Sequence, residues 1–252
     1  MRWKTLLTYC RDLLQSMNNI SSVLLIVVLL AIIFDFINGF HDTANAIATV
    51  ISTRVLSPFM AILMAAGLNF LGAISGTAVA RTIGSGIVGT NISENVVIAA
   101  LMGAIIWNLI TWYKGIPSSS SHALIGGLLG SGIAFAGLNQ VHWNVLLQKV
   151  AIPLFTSPII GFFAGLLCMN IIFKLFARVK PGFMNSFFRR SQLVSSAFMA
   201  FAHGSNDAQK TMGVITLALI SSHVIPAEPF HVPLWVICLS AVAMALGTAG
   251  ED

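Results

Sequence analysis

From Val23 to Phe34 the chain carries no polar side chain, and the polar positions then arrive together: Asp35, Asn38, His41, Asp42, Thr43 and Asn45. At ~1.5 Å per residue, the run extended to Gly39 is long enough to cross a bilayer as a helix with Asp35 inside it. Similar apolar runs predict further membrane segments over Pro58 to Ala80, Val96 to Tyr113 and Val150 to Phe176. Another covers Leu193 to Ala202, resumes after a polar break to Ile220, and a last one starts at Leu234. Two stretches, "HDTANAIATVISTR" and "SSSSHALIGGLLGSGIAFAG", are too short or too polar to cross alone. They read as half-helices or re-entrant hairpins, which survive at membrane depth where protein or a wet cavity surrounds them. Glycines at 67, 72, 76, 126, 127, 130 and 132 let such helices approach closely.

Composition agrees with the pattern. Of 252 residues, 57% are hydrophobic and 8% charged, with mean hydropathy +0.90; a soluble domain carries about a quarter charged residues. The first twenty residues are mixed and precede no small-residue cleavage pattern, so they do not form a signal peptide. The net charge of +5 does not imply nucleic acid, because the basic residues are not interleaved with aromatics on a polar segment. Lys174, Arg178, Lys180, Arg189 and Arg190 instead crowd one connection without an acid among them, the mark of a cytoplasmic loop. Cys10, Cys168 and Cys238 share no metal or redox spacing and read as packing residues.

The chain also repeats itself. "FINGFHDTANAI" laid over "FAHGSNDAQKTM" pairs Phe36 with Phe201, Gly39 with Gly204 and Asp42 with Asp207, all at an offset of 165. Asn38 falls on His203 and His41 on Asn206. Asp42 and Asp207 are two of only eight acidic residues, each at the polar end of an apolar segment. One unusual polar break carried twice fits the duplicated plan of secondary transporters, in which broken helices of both halves meet at a central site. The organisation expected is an N-terminal interfacial or cytoplasmic segment (1–21), a first repeat with membrane helices and a serine-rich hairpin (22–176), a basic loop (177–192) and an incomplete second repeat (193–252). A second copy of "GIPSSSSH", which begins at Gly115, would fall near residue 280 at that spacing. The second half is therefore abbreviated or the sequence is a fragment, and "GTAGED" after an apolar run favours a fragment.

An ionised carboxylate at membrane depth costs several kcal/mol unless paired, solvated or bound to a cation. No lysine or arginine lies within a turn of Asp42, whereas Lys210 follows Asp207 by three residues and can pair with it. Thr43 and Asn45 near one aspartate, and Ser205, Asn206 and Gln209 near the other, suit a hard monovalent cation or a transferable proton better than a transition metal. Ion coupling and a plain structural ion pair or helix cap both remain open. Pro117 and Ser118 to Ser121 make a helix start with caps, hydroxyl donors and free amides, able to hold a tetrahedral oxyanion or simply to cap a hairpin. His122 is either a proton relay or bonded to a backbone carbonyl. Asp35 is either a third cation ligand or a solvated acid at a helix end. Arg54 and Arg81 read as interfacial, and Trp107, Trp112 and Tyr113 as an aromatic belt.

These residues resemble the PiT family of inorganic phosphate transporters. "GFHDTANA" and "GSNDAQKTMG" stand at its two Gly-x-x-Asp signatures, and "GIPSSSSH" at its Gly-x-Pro-x-Ser-Thr-Thr-His type hairpin, over roughly residues 30 to 245. The resemblance implies an all-α integral membrane protein, an inverted-repeat secondary transporter with broken helices and a re-entrant hairpin, in the bacterial inner membrane. It implies phosphate import, as the free anion or a metal-phosphate complex, coupled to a sodium ion or a proton and with no further cofactor. By position it assigns coupling-ion roles, including sodium ligation, to Asp42, Asn45, Asn206 and Asp207. It assigns phosphate contacts to Ser119, Ser120 and Ser121, with Gln209 nearby. Membrane lipid and a homodimer are the other partners to expect, and nucleic acid is not. Serines replace the family's usual threonines, and the second hydroxyl hairpin has no counterpart in the sequence. The rival readings are a sulfate permease of the same fold, a non-transporting scaffold and an intramembrane serine hydrolase using Ser118 to Ser121 with His122 and an aspartate. For the hydrolase, an adjacent serine and histidine are poorly placed for a relay.

Overall fold

A computed structural model describes residues 21–86 and 93–250, and every regular element among them is helical. Ten α-helices follow in chain order: α1 Ser22–Asp42, α2 Ala44–Ser52, α3 Pro58–Ala73, α4 Ala78–Gly86 and α5 Glu94–Tyr113. After them come α6 Ser120–Ala136, α7 Trp143–Leu146, α8 Ile152–Phe176, α9 Pro181–Ser221 and α10 Leu234–Ala249. A π-helical turn over Leu147–Ala151 joins α7 to α8. The N-terminal segment expected over 1–21, Cys10 included, lies outside the described residues except for Ser21.

Serines punctuate the chain as capping chemistry demands. Ser21, Ser57 and Ser119 each accept a bond from the amide three residues on, at 3.1, 3.4 and 3.4 Å, satisfying donors that the first helical turn leaves open. At the first polar break the chain is barely interrupted: Thr43, between α1 and α2, keeps a right-handed helical backbone, and its hydroxyl donates back to the Gly39 carbonyl at 2.5 Å. The stretch expected as one segment over Pro58 to Ala80 is two helices, bent by 69° after Ala73. The serine-rich stretch is a single helix, α6, that folds back against α5 through the turn at Lys114–Ser119.

Two expectations in the second half are corrected. The basic loop over 177–192 is helical from Pro181, and only Ala177 to Lys180 lie outside a helix. Arg189 reaches the Arg54 carbonyl at 2.9 Å, and Thr53 donates to Gln192 at 2.8 Å, so this basic helix start rests on the α2–α3 turn. The polar break expected after Ala202 is absent, because α9 runs unbroken through Asp207 to Ser221. No proline interrupts it. Asn206 satisfies its amide on the Ala202 carbonyl one turn back, at 2.8 Å.

The two halves interlock. A Cβ on Gly39 would lie 2.5 Å from the Met244 carbonyl oxygen of α10, and one on Gly204 2.0 Å from the Asn69 carbonyl oxygen of α3. The partners match too: Gly247 presses on the Phe36 carbonyl and Gly72 on the Phe201 carbonyl, each at 2.1 Å by the same measure. Phe36 and Phe201, like Gly39 and Gly204, are the pairs offset by 165. Each motif helix thus packs backbone to backbone on a helix of the other half, as a pseudo-two-fold relation between halves requires.

α9 is the centre of the assembly, touching α1, α2, α3, α4 and α10. Its residues from Thr211 to Ile220 are all buried. Large apolar side chains such as Leu25, Leu29 and Ile33 on the opposite face of α1, and most of α8, are exposed, which suits a lipid environment. Three helical stretches, Ser22–Ser52, Glu94–Tyr113 and Trp143–Phe176, are long and apolar enough to cross a membrane. The bent α3–α4 pair makes a fourth.

Candidate ion and anion site

The break after α1, the start of α6 and the middle of α9 converge. Asp42, at the last turn of α1, accepts from Ser120 at 3.0 Å on one oxygen and meets His41 Nδ1 at 2.9 Å on the other. Ser120 is itself buried. Across the gap, Asp207 pairs with Lys210, one turn along α9. Asn38 donates to its second oxygen at 3.4 Å. Lys210 also donates to Ser121, so one ammonium joins the acid of the second half to the serine cluster of the first.

Between these groups lies a cavity of about 270 Å³, lined by Asp42, Asn45, Ser118, Ser119, Ser121, His203 and Asp207, with Ala46 and Met199. One ligand atom each from Asp42, His203 and Asp207 lie within 4.8 Å of one another. Asn69 sets the role of His203. Its amide donates to Thr248 at 2.7 Å, which leaves its carbonyl oxygen to accept from His203 Nδ1 at 3.1 Å. That leaves Nε2 as the ring nitrogen turned toward Asp207. It has no hydrogen-bond partner and stands 3.5 Å from the Asp207 carboxylate. A proton or a cation between Nε2 and the carboxylate would satisfy both, and the oxygen and imidazole donors around the cavity suit either. The amides and hydroxyls at the start of α6 add a patch of donors at the positive end of a helix.

The anticipated residues do not all gather here. Asp42, Asn45 and Asp207 line the cavity with Ser119 and Ser121, and Ser120 reaches it through Asp42. Asn206 is exposed and bonded within its own helix. Gln209 is buried and its carbonyl accepts from the Val79 amide at 2.9 Å, at the start of α4. With Trp107, His122 lines a neighbouring groove of about 570 Å³ between α5 and α6, which shares Ser118 and Ser119 with the cavity. Asp35 is not a solvated acid at a helix end: it is fully buried. His203, Asn69, Asn38 and the second role of Lys210 were not anticipated. The alignment of His203 with Asn38 was the one available signal, because both turn out to touch Asp207.

Comparison with known proteins identifies the family. Residues 38–250 match the phosphate transporter family. A probable low-affinity inorganic phosphate transporter of Bacillus subtilis is 47% identical, over 89% of this chain and 68% of its own length. One from Rhizobium meliloti is 50% identical, over 86% and 65%. The low-affinity inorganic phosphate transporter PitA of Escherichia coli is 38% identical, over 79% and 46%. The chain thus spans about half to two thirds of the length of these curated relatives. A solved structure described as the sodium-dependent phosphate transporter superposes with a TM-score of 0.83, at 22% identity, over 92% of this chain and 76% of that one. That likeness concerns the fold.

Proposed function

This chain belongs to the phosphate transporter family, and on that premise we propose that the full-length protein imports inorganic phosphate together with a small cation. It is an integral membrane protein of a transporter family, not of an enzyme family. One observation carries the proposal: the acids of both halves, Asp42 and Asp207, share a cavity with the serine-rich start of α6. A cation or proton entering between Asp42, Asp207 and His203 Nε2 neutralises them. Asn45 is placed to join a sodium ion there, and Asn206 would need to turn from its own helix to do so.

The anion binds on the other side of the same cavity, against Ser119, Ser120, Ser121 and the free amides of α6. Lys210 supplies the positive charge that this helix start lacks. Cation entry helps the anion twice: it lowers the negative potential of the cavity, and it loosens the hold of Asp207 on Lys210, freeing the ammonium to turn toward phosphate. Gln209 acts at a distance by fixing the start of α4 beside the site. The same acids and imidazole would accept the divalent ion of a metal-phosphate complex as cargo. Alternation of access follows from rocking of the two interlocked halves about the cavity, with lipid around the outer faces.

The test is uptake of labelled phosphate into liposomes holding the full-length protein, with sodium and proton gradients imposed separately and sulfate in excess as competitor. Accumulation driven by one gradient and insensitive to sulfate supports the reading. Sulfate that competes fully points to the sulfate permease, and no gradient-driven accumulation at all overturns transport.

A further inference from the structure

One acid has no part in that cavity. Asp35 is 0% exposed, seven residues before Asp42 on α1, and faces α9 and α10. Thr211 donates to its Oδ1 at 2.6 Å. The Ser240 hydroxyl lies beside the same carboxyl. Asn38, one turn along α1, turns its amide toward Asp207. Three buried oxygens in this neighbourhood make no hydrogen bond: Asp35 Oδ2, Asn38 Oδ1 and Ser240 Oγ.

The charged groups facing this spot are all on α9, where Asp207 and Lys210 act on Asp35 and are paired with each other. His203, one turn before Asp207, is held by Asn69. On α1 the next titratable groups are His41 and Asp42, which contact one another. α10 carries no charged residue, its Cys238 being exposed, and α5 has Glu94 and Tyr113 only at its ends, Glu94 being bonded to Ser21 and Ser222. An ionised Asp35 would therefore be a fully buried charge with no counter-ion of its own, which costs several kcal/mol. A single hydrogen on Oδ2 removes the charge and with it that cost.

We propose that Asp35 is a proton-binding site separate from the Asp42–His203–Asp207 cavity, protonated while α1, α9 and α10 are packed and releasing its proton when that contact opens to water. This rests on the transport reading, because helix rearrangement during transport is what alternately buries and wets the carboxyl. It makes the proton a passenger whose release is tied to the motion that carries phosphate.

Infrared spectroscopy of the purified full-length protein at neutral pH tests this. The expected result is a protonated-carboxyl C=O band that disappears in Asp35→Asn, persists at a shifted frequency in Asp35→Glu, and remains in Asp42→Asn and Asp207→Asn. Should Asp35→Asn fail to fold, Thr211→Val and Ser240→Ala serve instead, since each changes the surroundings of the carboxyl and should shift the band. A spectrum without the band, or a band unmoved by all of these changes, overturns the proposal, as does a sodium-dependent gain in thermal stability that Asp35→Asn removes. In liposomes, any uptake remaining in Asp35→Asn should no longer respond to an imposed pH gradient. A wild-type protein that moves no phosphate would count against the transport reading, whereas a wild type and an Asp35→Asn variant equally driven by protons would count against this site alone.

Discussion

Ser120 Oγ donates to Asp42 Oδ2 at 3.0 Å, joining two motifs that stand 78 residues apart in the chain. The serine cluster and the first acid are therefore one unit: the hydroxyl that would face an anion is oriented by the carboxylate that would face a cation. On the proposed reading, neutralising Asp42 would free Ser120 to turn toward phosphate, linking cation and anion binding through a single hydrogen bond.

Ser120→Ala leaves one oxygen of Asp42 without its donor and removes a hydroxyl from the anion side. The expected cost is about 1–3 kcal/mol, read as a roughly five- to hundredfold fall in apparent phosphate affinity. Ser120→Thr keeps the hydroxyl and should stay near wild type. Uptake curves across phosphate concentrations check both.

Lys210→Met strands Asp207, whose side chain is 13% exposed. Breaking a buried pair from one side costs about 3 kcal/mol or more, so thermal stability in detergent should fall clearly. Combining Lys210→Met with Asp207→Asn should recover most of that loss without restoring uptake, a double-mutant result that independent residues would not give.

The glycine contacts give opposite outcomes for one chemical change. Gly204→Ala forces a methyl group against the Asn69 carbonyl and should destabilise by about 1–3 kcal/mol or more, as overpacking does. Gly103→Ala meets nothing within 4 Å and should change stability by less than about 1 kcal/mol. Thermal melts of the two variants separate backbone contact from ordinary helix propensity.

Much of this arrangement was legible in the residues. Long apolar runs set the positions of α1, α5 and α8, and the Asp42–Asp207 repeat located the two groups that the fold brings to one cavity. Polarity misled where it was taken to imply chain breaks. "HGSNDAQK" stays helical because its polar side chains find partners: His203 on Asn69, Asn206 on its own backbone, Gln209 on α4 and Lys210 on Ser121. The bend after Ala73 carries only the weak local mark of Ser75-Gly76-Thr77, and the start of α4 is held by Gln209 from another part of the chain. Asn69 and Thr248 carry no local sign of a role. They matter because close glycine contacts bring α3, α9 and α10 together, and such contacts between distant segments are not written in any one stretch of sequence.

The most direct measurement is proton- or sodium-driven phosphate accumulation by full-length protein in liposomes, compared among wild type, Asp42→Asn and Asp207→Asn at matched membrane insertion. Gradient-driven accumulation in the wild type that disappears in both variants is the predicted result. Accumulation at the wild-type level in both would contradict the role assigned to the shared cavity.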